Sequence, residues 1–441
     1  MRRQGVALLL SFATLSLACG APHRADRALG RQVGPRPDAV HATTATVAST
    51  WDELRALVAD PNGPREIELA KGTFQGDLVV TRPLTLRGQP GAALQGTGSR
   101  TVLTVEADDV VVEDLSIRHS GHRHTAEDAG IKMKGNRNRV SNVHVEDTLF
   151  GVLLGECRDC MLERSHVEGY GDERELRGDG IKVWESHGST VRGNLVEHSR
   201  DLVVWYTRHA TLEDNVVRHS RYGSHFMYAH DAVVRRSRFE DNVVGVFVMY
   251  SARLLVEDNV LAGAHGAAGI GLGFKDSDSV TAKRNWLVAN TTGTYLDNTP
   301  RTPEQPVVME DNVLALNDVA LRLHGADKGK GITLRGNDFR DNPTMIEVDG
   351  GGDALGVAAR GNHFSDYEGY DLNHDGTGDV AYEVRTLSSE LTETHPSLKF
   401  FHGTPALGAI DAVAHAVPVL SSKKLFIDPA PQFEVPAREA P

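Results

Sequence analysis

Short runs in which Val, Ile and Leu alternate with polar residues recur along most of the chain, without the three-to-four spacing of an amphipathic helix. Similar phrases close them: "VRGNLVEHS", "LEDNVVRHS", "VEDNVLAGA", "AKRNWLVAN", "MEDNVLALN", "LRGNDFRDN" and "AARGNHFSD". Their Asn residues are 194, 215, 259, 285, 312, 337 and 362, so the gaps are 21, 44 (two repeats), 26, 27, 25 and 25. Alternating apolar residues at a period of 21–27 predict an all-β parallel solenoid, each turn a rung that buries its apolar side on its neighbours. A leucine-rich repeat shares the length, but its Leu-rich consensus is absent. The Asn residues are expected at corners, where Asn tolerates left-handed backbone and bonds the next rung. Both ends of such a stack need caps. "STWDELRALVAD" supplies one as a helix, with Thr50 and Glu53 as a capping box and Trp51, Leu54, Leu57 and Val58 on one face. "THPSLKFFHGTPALGAIDAVAHAVPVL" (394–420) reads in part as a second amphipathic helix, a C-terminal cap, with docking on a membrane partner as the alternative.

Aligning "GIKVWES", "DLVVWYT", "GSHFMYA", "GVFVMYS" and "GIGLGFK" by rung separates the two faces of a strand. One parity, Ile181/Val183, Leu202/Val204, Ser224/Phe226, Val246/Val248 and Ile270/Leu272, is expected inside, with Tyr206, Tyr228, Tyr250 and Phe274 as an aromatic column beside it. The other holds Lys182/Trp184, Val203/Trp205, His225/Met227, Phe247/Met249 and Gly271/Gly273. An unpaired buried Lys is costly, so Lys182 puts this parity outside. His225, Met227 and Met249 then share an exposed strip with Trp184, Trp205 and Phe247, while His230 lies beyond the strand end. Adjacent rungs lie about 4.8 Å apart, and residues two apart on a strand about 6.6 Å. One imidazole and two thioethers so spaced suit Cu(I), and the apolar strip also suits protein docking.

Residues 1–19 have a basic start, an apolar stretch and small residues before Cys19, the pattern of an export signal. Ser16-Leu17-Ala18-Cys19 reads as a lipobox with an acylated Cys19; plain cleavage after Ala18 is the alternative. Residues 20–47 read as a disordered tether, 48–366 as the solenoid and 367–441 as C-terminal cap loop, helix and tail. A periplasmic protein anchored by lipid follows. A net charge of −13 argues against nucleic acid as a partner.

Three further groups have metal-friendly composition. His119, His122 and His124 in "HSGHRHTAED" form either a metal-capturing loop or a solvated cluster. Cys157 and Cys160 form either a disulfide, favoured in an oxidising compartment, or a copper thiolate pair. Asp371, Asn373, Asp375 and Asp379 have calcium-loop spacing, with Gly376 at the turn but Tyr382 where an EF-hand needs Glu; an Asx-turn loop is the other reading. His198 and His219, 21 apart, are expected to stack at a corner.

"RYGSHFMYAHD", "NVVGVFVMYSA", "GAAGIGLGFKDSD", "NWLVANTTGTYLDNTP" and "GNHFSDYEGYDLNHDGTGD" together resemble the NosD-type maturation proteins of nitrous oxide reductase, over about Trp51 to Leu420. The resemblance implies a right-handed parallel β-helix, exported and coupled to an ABC transporter (ATPase and membrane permease). It implies a non-enzymatic role beside a copper chaperone lipoprotein, supplying copper for the reductase's copper–sulfur cluster. The family's H-x-M falls on His225 and Met227, and its M-Y-S on Met249, Tyr250 and Ser251. The competing reading is a carbohydrate-active β-helix enzyme, a lyase or hydrolase. "GAHGAAG" is similar to a pectinase motif but has no paired aspartates in register.

Overall fold

The computed structural model describes residues 45–439, except 172, 174–175, 326–328, 350–351, 386–394 and most of 402–423. The first strand, Thr46–Ala48, begins inside the stretch read as tether, and Cys19 with the rest of 1–44 lies outside the described residues. A helix over Trp51–Ala59 follows, started by the expected capping box: Thr50 Oγ1 accepts from the Glu53 amide while the Glu53 carboxylate accepts from Thr50 N. Leu54 and Val58 are buried, and Trp51 and Leu57 pack on the same core, closing the N-terminal end. Gly76 has no side chain because the Trp51 indole occupies that space, 2.2 Å from where a Cβ would stand.

Each full rung then gives one strand to each of three parallel sheets of 14, 12 and 13 strands, neighbours coming from successive turns. The result is a right-handed parallel β-solenoid of about 12 turns. Inward Val, Leu, Ile and Phe form one core running from Ala48 to Phe426.

The corners follow one rule. A residue with left-handed backbone turns the chain, and the next residue points into the stack. Gly193, Asp214, Arg236, Asp258, Arg284, Asp311, Gly336 and Gly361 have φ between 49° and 69°, and each precedes a buried Asn or Ser. The seven repeat Asn residues are therefore not themselves left-handed, a correction to the expectation. Its role is to bond the stack: the amide of Asn285 donates to Asn312 Oδ1, Asn312 to Asn337, and Asn337 to Asn362. Each Asn Nδ2 also donates to a carbonyl, for example Asn312 to Ala282 O at 2.9 Å. A second buried ladder, Asn290–Asn317–Asn342, does the same at another corner.

At the third corner the left-handed positions themselves are Tyr206, Tyr228 and Tyr250, all at φ 51°. They point outward, 44% and 39% exposed for the first two, and stack with centroids 5.0 and 5.1 Å apart. The expected inner aromatic column is thus overturned for the tyrosines, because strand alternation stops at the left-handed residue. Phe274 is buried, but it pairs with Val248 and not Tyr250; the alignment of "GIGLGFK" was two residues out.

The C-terminal end is closed, among the described residues, by the antiparallel strands Tyr382–Arg385 and Lys424–Asp428. Tyr382 stacks on Phe364 at 3.7 Å, and Asp428 accepts from both Asn362 nitrogens, ending the Asn ladder. Of the segment read as a capping helix, a 3-10 turn over Pro396–Phe401 is described and most of the remainder lies outside the described residues.

Candidate metal centre

The outer face of the 12-stranded sheet carries the strip in two columns. Trp184, Trp205, Met227 and Met249 pair in register on successive strands, as do Lys182, Val203, His225 and Phe247. The side assignment and this register agree with the sequence. The strip is not bare, however: Phe247 is 8% exposed and the His225 side chain 12%.

His225 Nε2 lies 3.4 Å from Met249 Sδ, across one rung, and Met227 is the register neighbour of Met249. Bonds of about 2.0 Å to nitrogen and 2.3 Å to sulfur, as in zinc sites, would span that gap at an angle of roughly 105°. The pair is thus spaced for one ion without backbone movement. An imidazole and thioethers form a soft, neutral donor set.

Three residues that the sequence reading did not single out hold His225 in place. Tyr222 stacks on its ring at 4.6 Å. Asp201 Oδ2 stands 3.8 Å from Nδ1, and Arg221 Nη2 clamps the same carboxylate. Burial pushes the Asp201 carboxyl up, but the nearby His225 imidazole and the hydrogen-bonded Arg221 guanidinium outweigh it and hold the group below its ordinary range. An anionic partner on the far nitrogen orients an imidazole and makes the near nitrogen a better donor. Phe247 lies over Gly273, where a Cβ would come within 2.3 Å of the ring, so glycine there lets the phenyl group shield the site.

Of Trp184 and Trp205, expected as docking residues, Trp205 neighbours Met227 in the outer column and Trp184 lies one rung further on. Trp205 stacks on Tyr206 at 5.4 Å, and its buried Nε1 has no hydrogen-bond partner. Lys182 Nζ sits 5.7 Å from the Trp205 ring and pairs with Glu127, which belongs to the His-rich loop.

The other predicted groups fare differently. His119 bonds Asp147 at 2.9 Å, His122 packs on Tyr170 and His124 on Phe150, so the three histidines turn to separate partners. Cys157 and Cys160 are joined as a disulfide, which overturns the thiolate reading because neither sulfur is free to bind metal. In the 371–379 loop, the Asp371, Asn373, Asp375 and Asp379 side chains accept from backbone amides of the loop itself, the Asx-turn pattern. His198 and His219 stack at 5.2 Å as expected.

Residues 164–369, which include His225, Met227 and Met249, match the family model described as periplasmic copper-binding protein (NosD). A Pseudomonas aeruginosa relative named probable ABC transporter binding protein NosD is 38% identical over 86 residues, 20% of this chain and 79% of that one. The chain belongs to the NosD family. Longer NosD relatives of the same name agree. The Stutzerimonas stutzeri protein is 26% identical over 400 residues, covering 84% of this chain and 87% of its own. The protein of Pseudomonas aeruginosa strain PAO1 is 28% identical over 435 residues, covering 95% and 99%. Among solved structures, the Azotobacter vinelandii mannuronan C-5 epimerase AlgE6 A-module superposes with a TM-score of 0.54 at 13% identity, over 71% of this chain and 96% of that one. A mannuronic acid-specific family 6 lyase from human gut microbiota gives 0.50 at 13%, over 67% and 87%. At these identities the likeness to β-helix enzymes concerns the fold alone. Among the described residues no helix is long and apolar enough to cross a membrane.

Proposed function

We propose that this NosD-family chain carries copper as cargo, as Cu(I), on His225, Met227 and Met249. In this reading it receives the ion from a copper chaperone lipoprotein in the periplasm, where lipid on Cys19 holds it to the membrane. It serves an ABC transporter, through the membrane permease and its ATPase, in maturing the copper–sulfur site of nitrous oxide reductase. The 3.4 Å approach of His225 Nε2 to Met249 Sδ carries the site assignment. Membership of a family of periplasmic copper-binding proteins supports the cargo, and the relatives' names support the transporter.

Thioether sulfur and neutral imidazole bind Cu(I) without adding charge, so exchange with another thioether or thiolate site needs no large electrostatic penalty. Asp201 and Arg221 hold the imidazole, while Phe247 limits water access. The role is transfer, not catalysis: the acids beside the strip, Asp179 and Asp201, are each held by an arginine, Arg200 and Arg221. Trp184, Trp205 and the Tyr206–Tyr228–Tyr250 stack flank the donors and form the surface on which the copper donor or acceptor docks.

Anaerobic Cu(I) competition titration of the mature chain tests the site. His225→Ala/Met227→Ala/Met249→Ala should lose the tightest equivalent, and unchanged affinity would exclude these ligands. Trp205→Ala should weaken co-purification with the permease while leaving Cu(I) affinity within about twofold. Cleavage of an acidic polysaccharide by the purified chain would favour the enzyme reading instead.

A further inference from the structure

A second set of donors lies on a different sheet. His144 and His166 are one rung apart and pair in register on the 13-stranded sheet, their rings parallel within 9° and 4.8 Å between centroids. Glu168 follows His166 by two residues on the same strand, so it faces the same outer side. One donor atom from each of His144, His166 and Glu168 lies within 4.8 Å of the other two, the only such trio of His, Cys, Asp or Glu among the described residues.

Two observations separate this trio from a chance surface cluster. His144 Nε2 is shut off from solvent yet has no hydrogen-bond partner; the nearest carboxylate oxygen, on Glu146, is 4.0 Å away. A buried polar atom left unpaired calls for an explanation, and an unseen ion is among the usual ones. His166 Nε2 lies 3.0 Å from Glu197 Oε2, and Glu197 is the register partner of Glu168. The ring nitrogens therefore meet a column of carboxylates. Both imidazoles also line a depression of about 550 Å³, with Pro90, Gly91, Ser116 and Asn142 on its walls, which gives an ion a way in.

We infer that His144, His166 and Glu168 bind a divalent transition ion of the Zn2+ or Cu2+ type, at a site separate from the His225–Met249 strip. Two imidazoles and a carboxylate are borderline-to-hard donors and suit a divalent ion, whereas the thioether strip suits Cu(I). Donors around a four-coordinate ion stand about 3.3 Å apart, so side-chain rotation alone closes the trio. Water completes the shell, since Glu197 is held by Arg218. The chain thus presents one metal of each class on two faces. This inference does not depend on the copper-cargo reading.

Calorimetric titration of the full mature chain with Zn2+ alone, and separately with Cu2+ alone, tests it. Wild type should take up one equivalent at this site, and His144→Gln/His166→Gln should lose that equivalent or bind about tenfold or more weakly. Glu168→Gln, a milder change on the same strand, should weaken it to a smaller extent with an unchanged thermal midpoint in the absence of metal. Met227→Ala/Met249→Ala should bind Zn2+ as wild type does. With Cu2+, electron paramagnetic resonance should give nitrogen hyperfine structure that the double His variant lacks. Equal Zn2+ binding in wild type and the double His variant would overturn the site, as would loss of Zn2+ binding in the Met variant.

Discussion

Two ladders of this solenoid repeat with equal regularity and end in opposite places. At one corner Asn285, Asn312, Asn337 and Asn362 are sealed in the stack. At another, Tyr206, Tyr228 and Tyr250 form a column on the outside. Residue type would suggest the reverse, since an amide is polar and a phenol ring largely apolar. What decides is position relative to the left-handed residue: each Asn follows it, and each Tyr occupies it. A repeated residue in a solenoid is therefore evidence of a column, and the corner geometry says whether the column faces core or solvent.

The contrast predicts a graded series of effects. Asn285→Ala should be the most damaging, because it strips partners from the Asn259 amide, Asn259 Nδ2 and the Val256 carbonyl at once. A loss of roughly 3 kcal/mol or more is expected in denaturant unfolding, and a cost no larger than that of Tyr228→Ala would erase the distinction between the ladders. Gly273→Ala comes next: its methyl group must push Phe247 aside, costing about 1–3 kcal/mol. The same change should loosen Cu(I) at the neighbouring strip, seen as faster loss to a competing chelator.

Glu163→Gln probes an intermediate case, a buried carboxylate under outward-facing Arg139, Arg164 and Arg192. Burial pushes the Glu163 carboxyl up, but the arginines outweigh it and hold it below its ordinary 4.5. A depressed folded-state pKa stabilises the protein above the unfolded value, and that contribution disappears as pH falls through the folded one. Wild type should therefore lose thermal stability on acidification below about pH 4.5 more steeply than the variant. The gap at neutral pH should be about 1 kcal/mol, since the arginines are half exposed. Tyr228→Gly should change least. Glycine relieves the left-handed backbone but gives up two ring stacks, so the two terms offset within about 0.5 kcal/mol. A midpoint shift of many degrees would mean the tyrosines are structural after all.

Most of the fold was legible because Asn and alternating aliphatic residues repeat at one-rung spacing. The central strip was legible too, because the rungs through Trp184, Trp205, Met227 and Met249 are each 21 or 22 residues long, with no insertion to lose the register. It failed at Gly273, where the 263–269 segment lengthens the turn and the Gly-rich strand matches equally well two residues away. The support around His225 was harder to see. Asp201 and Tyr222 come from neighbouring rungs and converge only after stacking, although each lies near the start of its strand. His144 and His166 carried a readable signal, two histidines 22 residues apart, but lay in rungs that have Val143 and Ser165 where the others have the ladder Asn.

The Asp428 carboxylate that ends the Asn ladder comes from 66 residues beyond Asn362. A chain made from its N-terminus stacks its last rung well before that oxygen arrives. Until then the amide of Asn362 and the open strand edges form a template that a second copy could extend. The strand Lys424–Asp428, which brings that carboxylate, therefore acts as a terminator for the β-helix itself, covering the end on which a further rung would stack.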